Sequence, residues 1–375
     1  MSKLFDVYSL WDIEPVRAEG CKVWDKNGTE YLDFYGGHAV ISIGHTHPHY
    51  VKAIEGQLNK IGFYSNSVQN PLQQELADKL AEQSGYPDYT LFLCNSGAEA
   101  VENALKLASF HTGKKRVIAF REAFHGRTSA AVAITDNPAI QAPVNTGHEV
   151  TFVPLNNIEA VNSELKKGDV TAVIIEGIQG VAGIFVPEST FLQQLQSACN
   201  QHNVPLILDE IQSGYGRTGK FFAHQFTGIK PDMITMAKGM GNGFPIGGVL
   251  ISPVYEAKKG MLGTTFGGSH LACAAGIAVL DVLKNENLIE NAAEMGVYLK
   301  DELSKIEELG EIRGEGLMLG FALPPEHSAA QNKLLFESKI FTGNAKGNVM
   351  RLLPPLSVTK KEIDIFMSAL RKYIK

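Results

Sequence analysis

Asp232–Gly248 reads DMITMAKGMGNGFPIGG: an apolar run stops at Lys238 and a glycine-dense segment follows at once. A lysine where a buried strand gives way to a turn either snorkels its charge to water or holds its amine in a pocket as a nucleophile. Snorkelling is the commoner arrangement, since lysines are seldom buried. The run has relatives along the chain: TLFLCNSG, RVIAF, EVTFVPL, TAVIIEG, VPLILDE and GGVLIS recur between helix-like stretches. Runs apolar on both faces are strands covered on both sides, the habit of a mostly parallel sheet with helices above and below. The fold class is therefore α/β, with one large domain over residues 45–265 built on a mostly parallel seven-stranded sheet. Gly97–His111 supplies one crossover, with Ala98, Val101, Leu105 and Ala108 on one helical face. From 266 to 375 the pattern changes to long helices with short strands, GLMLGFAL and NVMRLLPPL, and predicts a smaller α+β domain. The segment 1–44 is expected to complete it.

Composition narrows the function. The 375 residues are 44% hydrophobic and 20% charged with a net charge of −6, an ordinary globular balance lacking the basic surface that nucleic acid or an anionic membrane requires. The four cysteines, Cys21, Cys94, Cys199 and Cys273, form neither a CxxC pair nor a dense framework, which argues against structural zinc and disulfides and for a reducing cytoplasm. Asp6, Asp12 and Glu14 interrupt the start where a signal peptide needs an apolar core. GHTHPHY places His45, His47 and His49 at alternate positions, but no cysteine or paired carboxylate completes a set, so a turn or helix entry is expected and no metal.

Ligands of open α/β sheets sit at the carboxyl ends of the strands. One such end is NSGAEA, where Ser96, Gly97 and Ala98 open a helix whose free N–H groups and dipole suit a phosphate, although small residues also cap helices for structural reasons alone. Another is LILDE, whose Asp209 ends a buried strand and needs a cationic partner, either in a structural ion pair or as the group that keeps a pyridine nitrogen protonated. Lys238 ends a third. A phosphate cradle, a buried acid and a lysine on strand ends are together what a pyridoxal 5'-phosphate enzyme requires. GMGNGF lacks the spacing and downstream acid of a dinucleotide fingerprint, and Cys94 reads as a small buried hydrophobe.

FLCNSGAEAVENALKLA, FREAFHGRTSAAVAIT, LILDEIQSGYGRTGKFFAH, PDMITMAKGMGNGFPIGGVL, GTTFGGSHLACAAGIAVL and VMRLLPPL stand in the order and spacing of the class III, ornithine-type, pyridoxal-phosphate aminotransferases, and most resemble the acetylornithine group. The resemblance implies the fold-type I architecture and a homodimer with shared sites. It makes Lys238 the lysine that binds the cofactor and Asp209 the partner of its ring nitrogen, with Gly97 and Ala98 at the phosphate, joined by Thr265 from the other subunit. Phe124 and Ile211 resemble the residues that sandwich the ring, Gln212 the ligand of its hydroxyl, and Glu176 a family position near it. Arg127 and Arg351 are similar to arginines that grip substrate carboxylates, a task suited to the planar guanidinium fork. The implied substrates are an acylated ornithine, 2-oxoglutarate and glutamate, with N2-acetylornithine as donor in arginine biosynthesis.

The sequence departs from that pattern in places. Val181 stands where the family commonly has a glutamate that pairs with the second arginine, and Gly177 where it usually has proline. His38 follows Gly37 where acetylornithine enzymes tend to be aliphatic, and no tyrosine stands at Gly37 as expected of an ornithine enzyme. GGSHLA replaces GGNPLA. Loss of a carboxylate at Val181 and a cationic imidazole at His38 would both favour an extra substrate carboxylate, so N2-succinylornithine is the alternative donor. Transfer from ornithine or 4-aminobutyrate is the wider enzyme alternative. A non-catalytic binding protein is disfavoured by the joint presence of Lys238, Asp209, Arg127 and Arg351.

Overall fold

The computed structural model describes residues 3–374; Met1, Ser2 and Lys375, the outermost residues of the expected first and last segments, lie outside the described residues. Strands β1 (Pro15–Glu19), β2 (Lys22–Asp25) and β3 (Glu30–Asp33) open the chain as an antiparallel meander. Next come β4 (Thr90–Cys94), β5 (Arg116–Phe120), β6 (Val150–Val153), β7 (Val170–Glu176), β8 (Leu206–Asp209), β9 (Met233–Met236) and β10 (Gly247–Ile251). They form one seven-stranded sheet in the order β4-β10-β9-β8-β7-β5-β6. The pairs among β5 to β9 are all parallel, whereas β10 is antiparallel to both β9 and β4. The cause is the connection: β9 passes to β10 through a 3-10 turn at Lys238–Met240 and no crossover helix, so the chain reverses.

Both faces of the sheet are covered, as the doubly apolar strands require. On one, Gly97–Thr112 buries Val101, Ala104, Leu105 and Ala108; on the other, Ile158–Leu165 and Ser189–His202 bury Val161, Leu165, Leu192 and Leu195. β7 is buried along its whole length. Further on, β11 (Ile312–Glu315) and β12 (Met318–Ala322) are followed by β13 (Ile340–Phe341), β14 (Gly343–Ala345) and β15 (Val349–Leu352). A second four-stranded sheet runs β11-β12-β15-β14, while β13 pairs in parallel with β3 and so ties the C-terminal part to the N-terminal meander. Helices His270–Asn285, Leu288–Leu303 and Lys360–Tyr373 pack with these sheets around the largest hydrophobic core, the last helix being opened by a Thr359–Glu362 capping box.

One buried arginine joins the parts. Arg217, in the loop after β8, donates to the carbonyls of Leu317 at 3.2 Å, Ile41 at 3.4 Å and Pro354, without a carboxylate partner among the described residues, and burial lowers its pKa to about 10. The three histidines of GHTHPHY diverge: His45 bonds Asp33, His47 bonds Glu286, and His49 faces Asp281 at 3.5 Å. His47 also caps the helix Pro48–Leu58.

Candidate active site

Parallel pairing puts the carboxyl ends of β7, β8 and β9 side by side, with Glu176 opposite Asp209 and Asp209 opposite Thr235. β4 ends on the same edge, and its continuation is the helix that starts at Gly97. Ser96 caps that helix, its hydroxyl accepting from Glu99 N at 3.2 Å, which leaves the N–H groups of Gly97 and Ala98 directed out of the first turn. A Cβ at Gly97 would stand 2.8 Å from Ile211 Cδ1, so glycine is what lets Ile211 close over the helix start.

Two residues beyond β9, Lys238 adopts φ +46°, a left-handed conformation that costs a lysine about 1 kcal/mol or more. The strain is held by neighbours: Ser42 Oγ donates to Gly239 O at 2.8 Å, and Asn242 Oδ1 accepts from Ser42 N at 2.8 Å and Ile43 N at 3.1 Å. Desolvation lowers the amine pKa to about 8, outweighing the nearby carboxylates of Asp209 and Glu176. The amine therefore reaches its neutral form at moderate pH.

Asp209 is buried and bonds His125 Nδ1 at 2.7 Å and Ile211 N at 3.1 Å. His125 is the cationic or donor partner that a buried acid requires, and the reading of the sequence had not singled it out; its Nε2 is buried with no partner among the described residues. Glu176 joins two loops, accepting from Phe124 N at 3.0 Å and Gly180 N at 3.1 Å, and burial raises its pKa to about 7. Gln212 Oε1 is likewise buried without a partner.

Gly97, Ala98, Phe124, Glu176, Val181, Asp209, Ile211, Gln212 and Lys238 line one cavity, to which His125, Gly126 and Ile178 also contribute. Arg351 is buried beside it, donating through Nε to Asn344 O at 2.9 Å and through Nη1 to Gly180 O at 3.2 Å. Ser96, Gly37, His38, Arg127 and Thr265 are not among the lining residues, and the last four are exposed. His38, at φ +70°, packs its ring 4.6 Å from that of Tyr35. Its pKa lies below the ordinary value through desolvation and the charges of Lys238 and Arg351. Burial first, and then the charges of Lys238 and Arg351, disfavour the protonated ring, contrary to the expectation of a cationic His38.

The other departures have local causes. A Cβ at Gly177 would meet the Glu210 carboxylate at 2.7 Å; that buried carboxylate accepts from Ser213 Oγ and from both His224 N and Nδ1. Ser269 of GGSHLA caps the helix His270–Asn285. Burial pushes the Cys94 thiol up to about 12, which suits a hydrophobe and not a nucleophile.

The model of the family described as aminotransferase class-III matches residues 7–374. The chain belongs to the class-III aminotransferases. It is 42% identical over 384 residues to the acetylornithine aminotransferase of Bacillus subtilis, covering 100% of this chain and 98% of that protein. The acetylornithine aminotransferase of Archaeoglobus fulgidus is 39% identical, with 96% of this chain and 95% of the relative aligned. Among solved structures, the acetylornithine aminotransferase of Elizabethkingia anophelis superposes with a TM-score of 0.84 at 31% identity, covering 98% of this chain and 94% of its own. The ornithine aminotransferase of Toxoplasma gondii gives 0.93 at 30% identity, covering 99% and 92%. As a class-III enzyme this transaminase uses pyridoxal 5'-phosphate.

Proposed function

We propose that this aminotransferase moves the δ-amino group of N2-acetyl-L-ornithine to 2-oxoglutarate, giving N-acetyl-L-glutamate 5-semialdehyde and L-glutamate, a step of arginine biosynthesis. The observation that carries the reading is the cavity itself. It joins an amine of pKa about 8 on Lys238, a buried carboxylate on Asp209 and an unpartnered Gln212 oxygen beside the free N–H groups of a helix start. That donor set fits pyridoxal phosphate: Gly97 and Ala98 would hold the phosphate, Phe124 and Ile211 would pack on the ring, Asp209 would pair with the ring nitrogen, Gln212, with Glu176 near it, would bind the ring hydroxyl, and Lys238 would bind the aldehyde carbon. The bound cofactor supplies a conjugated system that accepts the electron pair released at the substrate carbon.

The chain's own residues do the rest. Lys238, partly neutral at moderate pH, takes the proton from the amine-bearing carbon and returns it. Asp209, held by His125 Nδ1 and Ile211 N, presents its carboxylate to the cavity that it lines. Arg351 is held by two carbonyls and, among the described residues, no carboxylate, so its charge is available for a substrate carboxylate, the second one of glutamate. Arg127 serves the carboxylate common to all the substrates, while Gly37, His38 and Val181 flank the acyl end. The same reading takes 1–44, 45–265 and 266–375 as its structural units.

The proposal includes a cytoplasmic homodimer. Leu58, Phe63, Tyr64 and Phe266 expose apolar surface, with the Phe63 and Phe266 rings 5.1 Å apart, and Thr265 stands in the same exposed stretch, free to reach a partner's phosphate site. All four cysteines are buried free thiols, which suits a reducing compartment.

Initial rates with 2-oxoglutarate test the donor: N2-acetylornithine should exceed N2-succinylornithine, ornithine and 4-aminobutyrate in kcat/KM. A higher value for succinylornithine would transfer the assignment to that donor, and a higher value for either unacylated amine would end it. The succinyl reading retains only the uncapped Arg351 in its favour, because the neutral His38 adds no charge.

A further inference from the structure

The helix that offers Gly97 and Ala98 to the cavity carries Glu102 one and a half turns further on. Glu102 Oε1 accepts from Thr128 Oγ1 at 2.7 Å, Ala130 N at 2.8 Å and Ala131 N at 3.1 Å. The two amides belong to the first turn of the short helix Ser129–Ala133, whose own N-cap, Thr128, provides no side-chain cap. Glu102 thus does from a neighbouring helix what a local Ser or Asp ordinarily does. Arg127 immediately precedes Thr128. On its other side Gly126, at φ +143°, is wedged so tightly that a Cβ would meet those of Ala98 and Ala131 at 3.0 Å. The backbone of Arg127 is therefore fixed at both ends by contacts to one helix, while its exposed guanidinium has no hydrogen bond or ion pair among the described residues.

We infer that Glu102 is a positioning residue for Arg127: by capping the turn that follows, it aims the guanidinium at the substrate carboxylate. The inference rests on the reading of Arg127 given above. One rigid helix then sets both the phosphate cradle and the carboxylate grip, and with them the distance between cofactor and substrate.

The test uses the cofactor-loaded enzyme with Glu102→Ala, Glu102→Gln, Arg127→Ala and the Glu102→Ala/Arg127→Ala pair. Glu102→Ala should raise KM for N2-acetylornithine and for 2-oxoglutarate alike by about tenfold, with kcat within about twofold and an unchanged cofactor dissociation constant. Glu102→Gln keeps an accepting oxygen and should stay within about threefold of the parent. In the Arg127→Ala background, removing Glu102 should add nothing. Unchanged KM values in Glu102→Ala, or an undiminished effect in the double variant, would overturn the inference. Should Glu102→Ala not fold, Thr128→Val removes one of the three donors and should raise both KM values about twofold; parent values would overturn the inference equally. If Arg127→Ala itself leaves both KM values unchanged, the Arg127 assignment fails. If Arg127→Ala raises them and Glu102→Ala does not, only the positioning role fails.

Discussion

A single methyl group added at Gly180 should disturb three active-site groups at once. A Cβ there would lie 1.8 Å from Gln212 Oε1 and 3.3 Å from Met318 Cε. Since Cβ atoms stay beyond 3.0 Å of other heavy atoms, Gln212 or the loop must retreat by at least about 1.2 Å. If Gln212 swings away, the proposed ligand of the ring hydroxyl is lost. If the loop moves, the bonds from Gly180 N to Glu176 and from Arg351 to Gly180 O stretch instead. Over-packing costs roughly 1–3 kcal/mol and a weakened bond to a charged group roughly another 1.5 kcal/mol, so Gly180→Ala should lower kcat/KM by about 70- to 2000-fold. The assay is kcat/KM and cofactor affinity for Gly180→Ala, Gln212→Ala and the pair. Removing the Gln212 side chain removes the obstruction, so in that background Gly180→Ala should cost no more than about fivefold. A loss of the same size in both backgrounds would refute the reasoning.

The Lys238 amine makes stability depend on pH in the cofactor-free protein. Its folded pKa, about 8, lies below the 10.5 of the unfolded chain, so between those values the unfolded state binds the extra proton and stability rises with pH; below about 8 the burial penalty is present in full. Urea midpoints across that range should climb more steeply for the parent than for Lys238→Met, which should also lose transfer by about a thousandfold or more; parallel curves would contradict the shift. Arg351→Ala should raise KM for glutamate and 2-oxoglutarate by about 100-fold while changing that of N2-acetylornithine by less than about threefold, and an equal effect on all three would remove Arg351 from the second carboxylate.

What the sequence discloses and what it hides follow a physical division. Lys238, Asp209 and Gly97 could be found because each ends an apolar run or opens a helix, a local pattern. The placement of β10 could not: GGVLIS has the same composition as a parallel strand, and only the turn at Lys238–Met240 decides its direction. His125 was hidden because its meaning depends on Asp209, 84 residues away, although a buried acid always asks for such a partner. Gly180 reads as one of several loop glycines until Gln212 is seen against it. Arg217 in GYGRTG looks like a surface charge, and only the fold reveals that it is buried between carbonyls of three separate segments. Arg127 and Arg351 stand out through family resemblance alone; no local pattern marks an arginine ahead of a short helix, or one inside a strand such as β15, as a carboxylate ligand.

The surroundings of Arg351 bear on how the proposed enzyme would distinguish its donors. The two half-reactions make opposite demands on this cation, because glutamate brings a second carboxylate and N2-acetylornithine brings a neutral acyl group. An acidic neighbour could shield the charge when the acyl donor is bound, but Val181 offers none. The carbonyls of Gly180 and Asn344 fix the guanidinium without cancelling its charge. Electrostatics alone would then draw a terminal carboxylate on the acyl group toward Arg351, and His38, neutral beside Lys238 and Arg351, would neither add to that attraction nor oppose it. A preference of the proposed enzyme for acetyl would therefore come from shape. Val181 and Ile178, apolar lining residues on either side of Gly180 in sequence, give no hydrogen bond to a longer charged chain. In the proposed enzyme charge would serve the acceptor half-reaction and packing the donor half, and Gly180 would couple the two, because its carbonyl holds Arg351 and Val181 follows it in the chain.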